Sequence, residues 1–187
     1  MKYAVTALQR GFTLVELLIV VIILALLAAI VVPQFASSTD DAKVASLDST
    51  LSNVRAAIDL YYQQHGAYPA SKTAVPAAGC TSGTAGTGTV DTSAAFLDQL
   101  AYYTNASGEA CTQQNGGAFP YGPYLKKREL PANPITNNAT LRVVNTGDLN
   151  LAGSSPAAGW AFDDVSGKFI ADDAVNTDAN GNTYDTH

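Results

Sequence analysis

An uninterrupted run of apolar residues stands near the N-terminus of the chain. Residues 12–32 have the sequence FTLVELLIVVIILALLAAIVV, 21 residues in which Glu16 is the only charged side chain. A helix of about 20 such residues crosses the hydrocarbon core of a bilayer. The preceding residues 1–11 contain Lys2 and Arg10 and no acid, which favours a cytoplasmic location for them and an outward location for the rest. The pattern predicts one membrane-spanning helix over residues 12–32.

Beyond Pro33 the apolar positions recur at helical spacing. Successive positions are three or four residues apart, which predicts one apolar stripe on a helix that continues from the membrane segment. Gly66 and Pro69 end the pattern, so we expect the long helix to occupy residues 12–66, with its last turn at about Gln64. A coiled coil is the alternative, but the pattern covers barely three heptads. The stripe comprises Val44, Leu47, Leu51, Val54, Ile58 and Tyr61.

Residues 67–187 have the pattern of a small globular head. Residues 70–93 are rich in Ala, Thr, Gly and Ser, which predicts a surface loop, and a short helix is expected from Ser93 to Tyr103. Three strand-like runs follow, and the last two flank a turn at Val165-Ser166-Gly167. The strands are expected at Leu141–Asn145, Gly159–Asp163 and Lys168–Ala171.

The expected fold class is α+β, in which the long N-terminal helix packs on a small antiparallel β-sheet head. Trp160, Phe162 and Phe169 would pack on the apolar stripe of the helix. Residues 1–11 would be a leader, residues 12–66 the helix, and residues 67–187 the head with an acidic C-terminal tail.

The charge of the chain argues against binding to nucleic acid. The formal net charge is −6, so the chain has no general attraction to phosphate backbones. Lys126, Lys127 and Arg128 form the one basic cluster in the sequence. A solvated loop explains this cluster better than a DNA-binding patch, so no nucleic-acid partner is expected.

Two cysteines, Cys80 and Cys111, lie in the part of the chain expected outside the cytoplasm. An even pair in an oxidising compartment indicates a disulfide, which would close a loop of about 30 residues and contribute roughly 3 kcal/mol. A metal site and a catalytic thiol are the alternatives. No C-x-x-C pattern supports them, and His65 and His187 are the only histidines.

The segment before the apolar run suggests a processing site. A secretory signal is cut after its apolar run, but Val31-Val32-Pro33 is a poor match to such a site. A cut after Gly11 would instead leave the whole helix on the mature protein, and an uncut signal anchor is the alternative. Glu16 costs about 2.5 kcal/mol or more within an apolar span unless its side chain reaches the interface. It could pair with the new amino group of Phe12 on a neighbouring subunit and so fix the register between subunits.

The stretch Gly11-Phe12-Thr13-Leu14-Val15-Glu16, followed by the apolar run, resembles the processing motif of type IV prepilins and type II secretion pseudopilins. The resemblance implies cleavage by a prepilin peptidase between Gly11 and Phe12, N-methylation of Phe12, and the inter-subunit register role for Glu16. Pro33 stands where these proteins carry a helix-kinking proline. The implied partners are other copies of the chain in a helical polymer, an inner-membrane assembly platform and its ATPase. The chain would lie in the inner membrane before it enters an extracellular pilus or a periplasmic pseudopilus.

Two further segments, Gly66-Ala67-Tyr68-Pro69 and Gly122-Pro123-Tyr124-Leu125, resemble the major pseudopilin. The function expected is that of a structural subunit of a type IV pilus-like filament, a surface pilin for adhesion, motility or DNA uptake. The major pseudopilin of a type II secretion system is one alternative. A signal-anchored binding module that never polymerises is another.

The acidic tail is a candidate calcium site. Asp178, Asn180, Asn182 and Asp185 place oxygen-bearing side chains near one another, and the resemblance to major pseudopilins implies calcium in this region. A solvated tail is the alternative. No other cofactor is expected, and the sequence contains no set of residues arranged for catalysis, which predicts that the chain is not an enzyme.

Overall fold

The computed structural model describes residues 12–187, and all their side chains except those of residues 32–37. The first element is α1, one helix over Leu14–His65. Gly66 follows it with φ of +65°, a left-handed conformation that suits glycine at the end of a helix. The predicted end of the long helix is confirmed to within one residue. The chain divides into two compact units between Ala42 and Lys43, so the second part of α1 belongs to the unit that contains the head.

The apolar stripe of α1 forms one wall of the core in the unit Lys43–His187. Its members are almost wholly buried apart from Val44, which is partly buried. They share one cluster with the aromatic residues predicted to pack on the helix, which confirms that prediction. Within this cluster the rings of Phe96 and Phe162 lie 4.8 Å apart, and those of Trp160 and Phe169 lie 5.5 Å apart. Aromatic pairs at these distances add to the stability that burial of the rings provides.

The other elements of the head are short. A second helix, α2, covers Ser93–Ala101, so the helix predicted there is confirmed and ends two residues before the predicted Tyr103. The hydroxyl oxygen of Thr92 accepts a hydrogen bond from the N–H of Ala95 and caps this helix. The remaining elements are β1 Tyr103–Thr104, β2 Ala110–Cys111, β3 Leu141–Val144, β4 Trp160–Asp163, β5 Phe169–Ala171, and 3-10 turns at Asn115–Gly117 and Tyr184–Thr186.

Strands β3, β4 and β5 form the expected three-stranded sheet, with one difference in direction. Strands β4 and β5 are antiparallel, as predicted, but β3 and β4 are parallel, with Leu141 opposite Trp160. Parallel neighbouring strands need a connection of about a dozen residues or more. Residues 145–159, which join β3 to β4, are long enough to return the chain to the other end of the sheet. This connection also brings Leu151 onto Ala161 and Ile170, so the sheet is buried on both faces.

The Gly/Thr-rich segment before α2 is mostly exposed and forms no helix or strand, as predicted for the surface loop of residues 70–93, but part of it is packed. Ala70 and Ala74 within it are fully buried. The N–H of Ala74 donates to the carbonyl of Gly88 at 2.8 Å, so the segment doubles back on itself. A Cβ atom added to Gly88 would lie 1.9 Å from the backbone nitrogen of Ala95. Small residues therefore serve close packing here, which composition alone cannot distinguish from exposure.

Candidate functional site

The start of α1 contains a reciprocal hydrogen-bonding pair. The N–H and the hydroxyl of Thr13 donate to Oε2 of Glu16 at 3.0 and 2.7 Å, and the N–H of Glu16 donates to the Thr13 hydroxyl oxygen at 3.2 Å. This arrangement is a capping box, which satisfies backbone donors that a helix N-terminus would otherwise leave free. Both donations from Thr13 use the same carboxylate oxygen, which leaves Oε1 for a second partner.

The segment that follows has the length and polarity of a membrane span. Residues Leu14–Val31 have a mean hydropathy of 3.3, and none of this window is buried within the chain. Phe12, next to the predicted cleavage point, is 77% exposed. A signal sequence has the same composition, so these properties alone do not separate an anchor from a leader. Gly11 lies outside the described residues, as does the side chain of Pro33, and the predicted cleavage and kink stay predictions.

The cysteine pair is a disulfide, as predicted. The Sγ atoms of Cys80 and Cys111 are bonded, with the two Cα atoms 5.7 Å apart. Cys111 is fully buried in β2 and pairs with Tyr103 of β1, whereas Cys80 lies in the segment before α2. The bridge therefore ties the Gly/Thr-rich segment to the two-stranded sheet that β1 and β2 form. Both cysteines of the sequence are used, which removes the alternatives of a metal-binding or catalytic thiol.

His65, at the end of α1, is part of the packing of the head. Its Nδ1 lies 3.0 Å from the carbonyl oxygen of Tyr61, and its Nε2 lies 2.9 Å from the hydroxyl of Thr104. The carbonyl can only accept, so Nδ1 carries the proton and Nε2 accepts from the hydroxyl. The ring also stacks on that of Tyr61 at 4.0 Å. Burial lowers the pKa of His65, which favours the neutral ring that this bonding pattern needs.

One residue of the basic cluster, Arg128, has a structural role that the sequence did not reveal. Its guanidinium donates to the carboxylate of Asp98, which is fully buried in α2. The other carboxylate oxygen of Asp98 accepts from the N–H groups of Thr87 at 2.8 Å and Gly88 at 3.0 Å. Lys126 and Lys127 are exposed, as a solvated loop predicts. The signal in the sequence was an acid in the middle of the apolar run of α2.

The four tail residues proposed to bind calcium are held in two different arrangements. Oδ1 of Asp178 accepts from the N–H groups of Asn180 and Asn182 at 2.8 and 2.9 Å, and these donors, that of Asn182 first, lower the pKa of Asp178. Oδ2 of Asp185 instead accepts from the N–H of Gly153 at 2.8 Å. The calcium site in the tail stays a prediction.

The end of the chain is not a free acidic tail. Arg55 of α1 donates to the backbone oxygen atoms of Phe169 at 3.0 Å and His187 at 2.7 Å. Asp172 is fully buried and accepts hydrogen bonds from Nε and Nη2 of Arg142, at 2.9 and 2.7 Å. Bidentate pairs of this kind hold their partners in a defined geometry. The tail is therefore fixed to α1 and to the sheet, which the solvated-tail alternative did not anticipate.

Comparison with known proteins points to filament-forming proteins. A family model described as the prokaryotic N-terminal methylation motif matches residues 6–32. The type IV narrow pilus major component PilA5 of Thermus thermophilus is 36% identical over 110 residues, 58% of this chain and 89% of that protein. Type II secretion system core protein G of Pseudomonas aeruginosa is 44% identical over 64 residues, 34% of this chain and 45% of that protein.

A third relative, a fimbrial protein of Neisseria meningitidis, is 35% identical over 74 residues, 40% of this chain and 44% of that protein. The chain thus spans less than half the length of the Pseudomonas and Neisseria relatives. None of the three names describes an enzyme. No solved structure is significantly similar to the chain.

An apolar N-terminal helix with a methylation motif, continued into a helix packed on a small sheet, defines a pilin-like filament subunit. The similarity to the Thermus pilus component covers most of that protein, and the chain belongs to the type IV pilin family.

Proposed function

We propose that this chain is the structural subunit of a surface type IV pilus. The observation that carries the proposal is the similarity to a pilus major component over 89% of that protein's length. The similarity to the secretion protein covers only 34% of this chain. The Cys80–Cys111 disulfide fits a head that is exposed to an oxidising exterior.

In this proposal a prepilin peptidase cuts between Gly11 and Phe12, and the new N-terminus of Phe12 is methylated. Before assembly the chain spans the inner membrane with its head outside the cytoplasm, as the basic leader predicts. An assembly platform and its ATPase move subunits into the base of the filament. The apolar side chains of Leu14–Val31, exposed in the single chain, exchange lipid contacts for contacts with neighbouring helices.

The capping box gives Glu16 two roles that can be separated. Within its own chain the side chain caps α1 by accepting from Thr13. Between chains the carboxylate would pair with the positively charged N-terminus of a neighbouring Phe12 and fix the axial register. Glutamine at this position keeps the cap, because capping boxes use Glu or Gln, but it lacks the charge.

The test compares three variants for pilus yield and for processing of the leader. Glu16→Ala and Glu16→Gln should both be processed and both yield few filaments, at most about a tenth of the wild-type amount, because an unpaired amine within the helix bundle is costly. Thr13→Val removes the hydroxyl of the cap but keeps the charge, and should assemble.

Normal filament yield with Glu16→Gln would contradict the register role and leave capping as the function of this residue. If Thr13→Val lost assembly and Glu16→Gln kept it, the cap would be needed and the charge of Glu16 would not, which would also contradict the register role. A major pseudopilin is the second candidate function, which the 44% identity to the secretion protein over 64 residues favours.

A further inference from the structure

An aromatic surface lies on one flank of α1 in the head. The rings of Tyr62 and Tyr68 stack with their centroids 4.4 Å apart, and Tyr62 is 43% exposed. The ring of Tyr68 packs on the turn between β4 and β5, where a Cβ atom added to Gly167 would lie 2.3 Å from it. Asp59 is exposed one turn before Tyr62 on the same face of α1, and it shares a groove of about 310 Å³ with Gly167. Asp59, Tyr62 and Tyr68 are called the aromatic shelf below.

The carboxylate of Asp59 has no cationic partner within its own chain. No hydrogen bond or ion pair joins it to the residues that the structure describes. Arg55 and Lys168 border the same groove, but both donate to backbone oxygen atoms elsewhere in the head. A carboxylate beside exposed aromatic rings suits a lysine, because its ammonium group pairs with the acid and is attracted by the ring faces.

The basic loop of Lys126 and Lys127 lies on the other flank of α1. Tyr124, just before the loop, donates its hydroxyl to Oε1 of Gln64 at 2.6 Å. Positions 62 and 64 are about 200° apart around a helix of 3.6 residues per turn. The basic loop and the aromatic shelf of one chain therefore lie on opposite flanks of the same helix.

Both ends of the basic loop are fixed to α2. The two residues before it donate their N–H groups to the carbonyl of Leu100 at 2.8 Å each, and Arg128 after it pairs with buried Asp98. Lys126 and Lys127 are exposed between these anchors, and their ammonium groups have no hydrogen-bond or ion-pair partner in the described part of the chain. A fixed loop loses little conformational entropy when it binds a partner.

We propose that the aromatic shelf of one chain binds Lys126 and Lys127 of a second copy. This inference rests on the filament role proposed above and names one contact between its heads. The net charge of −6 makes copies of the chain repel one another unless cations of one copy meet acids of the next. Complementary surfaces on opposite flanks of one molecule make a head-to-tail contact, which extends into a helical filament when it does not close into a ring.

The first test reverses the charges in the full-length chain and measures filament yield relative to the processed chain held in the membrane. Asp59→Lys and the double variant Lys126→Glu/Lys127→Glu should each lower the yield at least about tenfold, because like charges then face each other. A chain with all three changes has complementary charges again and should recover most of the yield. Lys72→Glu changes an exposed lysine elsewhere in the head and should assemble normally.

The contribution of the rings is tested separately. Tyr62→Phe keeps an aromatic face and should assemble like the wild type. Tyr62→Leu keeps an apolar side chain without that face, and should lower the yield about two- to fivefold. Equal yields of these two variants would contradict the attraction between the lysines and the ring.

The second test locates the contact by cross-linking. Cells that express an Asp59→Cys chain together with a Lys127→Cys chain are treated with a short bismaleimide, which does not react with the Cys80–Cys111 disulfide. Cross-linked dimers should form when both variants are present and not when either is expressed alone.

Normal yield of both charge-reversed variants would overturn this contact, and so would a combined variant that does not recover. In either case wild-type filaments would still support the proposed function. A cross-link from Asp59→Cys to a different protein, with no dimer, would also overturn the contact. Wild-type cells whose filaments lack the chain would refute the proposed function and the contact together.

Discussion

The buried carboxylate of Asp98 should be a main determinant of the stability of the head. It accepts three hydrogen bonds, from the N–H groups of Thr87 and Gly88 and from the guanidinium of Arg128. Asp98→Ala removes all three acceptors. The two backbone N–H groups would each cost about 1–3 kcal/mol if they stayed buried and unpaired.

The guanidinium adds less to this cost. The side chain of Arg128 is 42% exposed, so it can return to water when the carboxylate is lost. The expected destabilisation by Asp98→Ala is therefore about 2–5 kcal/mol, most of it from the backbone donors. Arg128→Ala leaves a buried carboxylate that still has two N–H donors, and should cost about 1–3 kcal/mol.

The assay is thermal unfolding of the full-length protein in detergent, followed by fluorescence of Trp160, the single tryptophan of the chain. A loss of about 3 kcal/mol should lower the Tm by roughly 6–12 °C. Lys127→Ala, at an exposed position next to Arg128, is the matched control and should change stability by less than about 0.5 kcal/mol. The reasoning would be refuted if Asp98→Ala were as stable as this control.

Two further predictions concern the disulfide and the acidic turn. The Cys80–Cys111 bond joins residues 31 positions apart, so its reduction should lower the free energy of unfolding by about 3–4 kcal/mol and the Tm by roughly 10 °C. An unchanged Tm in dithiothreitol would contradict this prediction. Asp164 lies between β4 and β5, and its burial raises its pKa to about 7, so the Tm should fall as pH rises from about 4 to 7, because the carboxyl group ionises first in the unfolded state. Asp164→Asn should remove that loss. The lowered pKa of Asp163 should act oppositely and destabilise the head as pH falls from about 4 to 2, and a Tm independent of pH over both ranges would contradict both assignments.

The long helix, its buried stripe and the strands were predictable because their signals are local. Helical periodicity from Val44 to Tyr61 and the glycine at 66 determine where α1 packs and where it ends. The disulfide followed from an even cysteine count and the expected compartment. The helix and strands depend on residues close in sequence, and two cysteines can form only one disulfide within the chain.

The remaining features depend on contacts between distant residues, which periodicity does not encode. The direction of β3 depends on how residues 145–159 cross the head, and a strand pattern is the same in either direction. An acid within the apolar run of α2 indicates a buried carboxylate at Asp98, but Arg128 is 30 positions away and nothing local identifies it as the partner. The surface loop of residues 70–93 was predicted from its composition, but the close approach of Gly88 to α2 within it was not, because composition does not show which small residues are packed.

The central claim is that the mature chain begins at Phe12 and is incorporated into an external filament. The most direct test is the mass of the N-terminal peptide of this protein in a fraction sheared from the cell surface. A peptide that begins with methylated Phe12 in that fraction is the predicted result. The same peptide found only in the membrane fraction would favour the pseudopilin, and an intact Met1 leader in every fraction would contradict the claim.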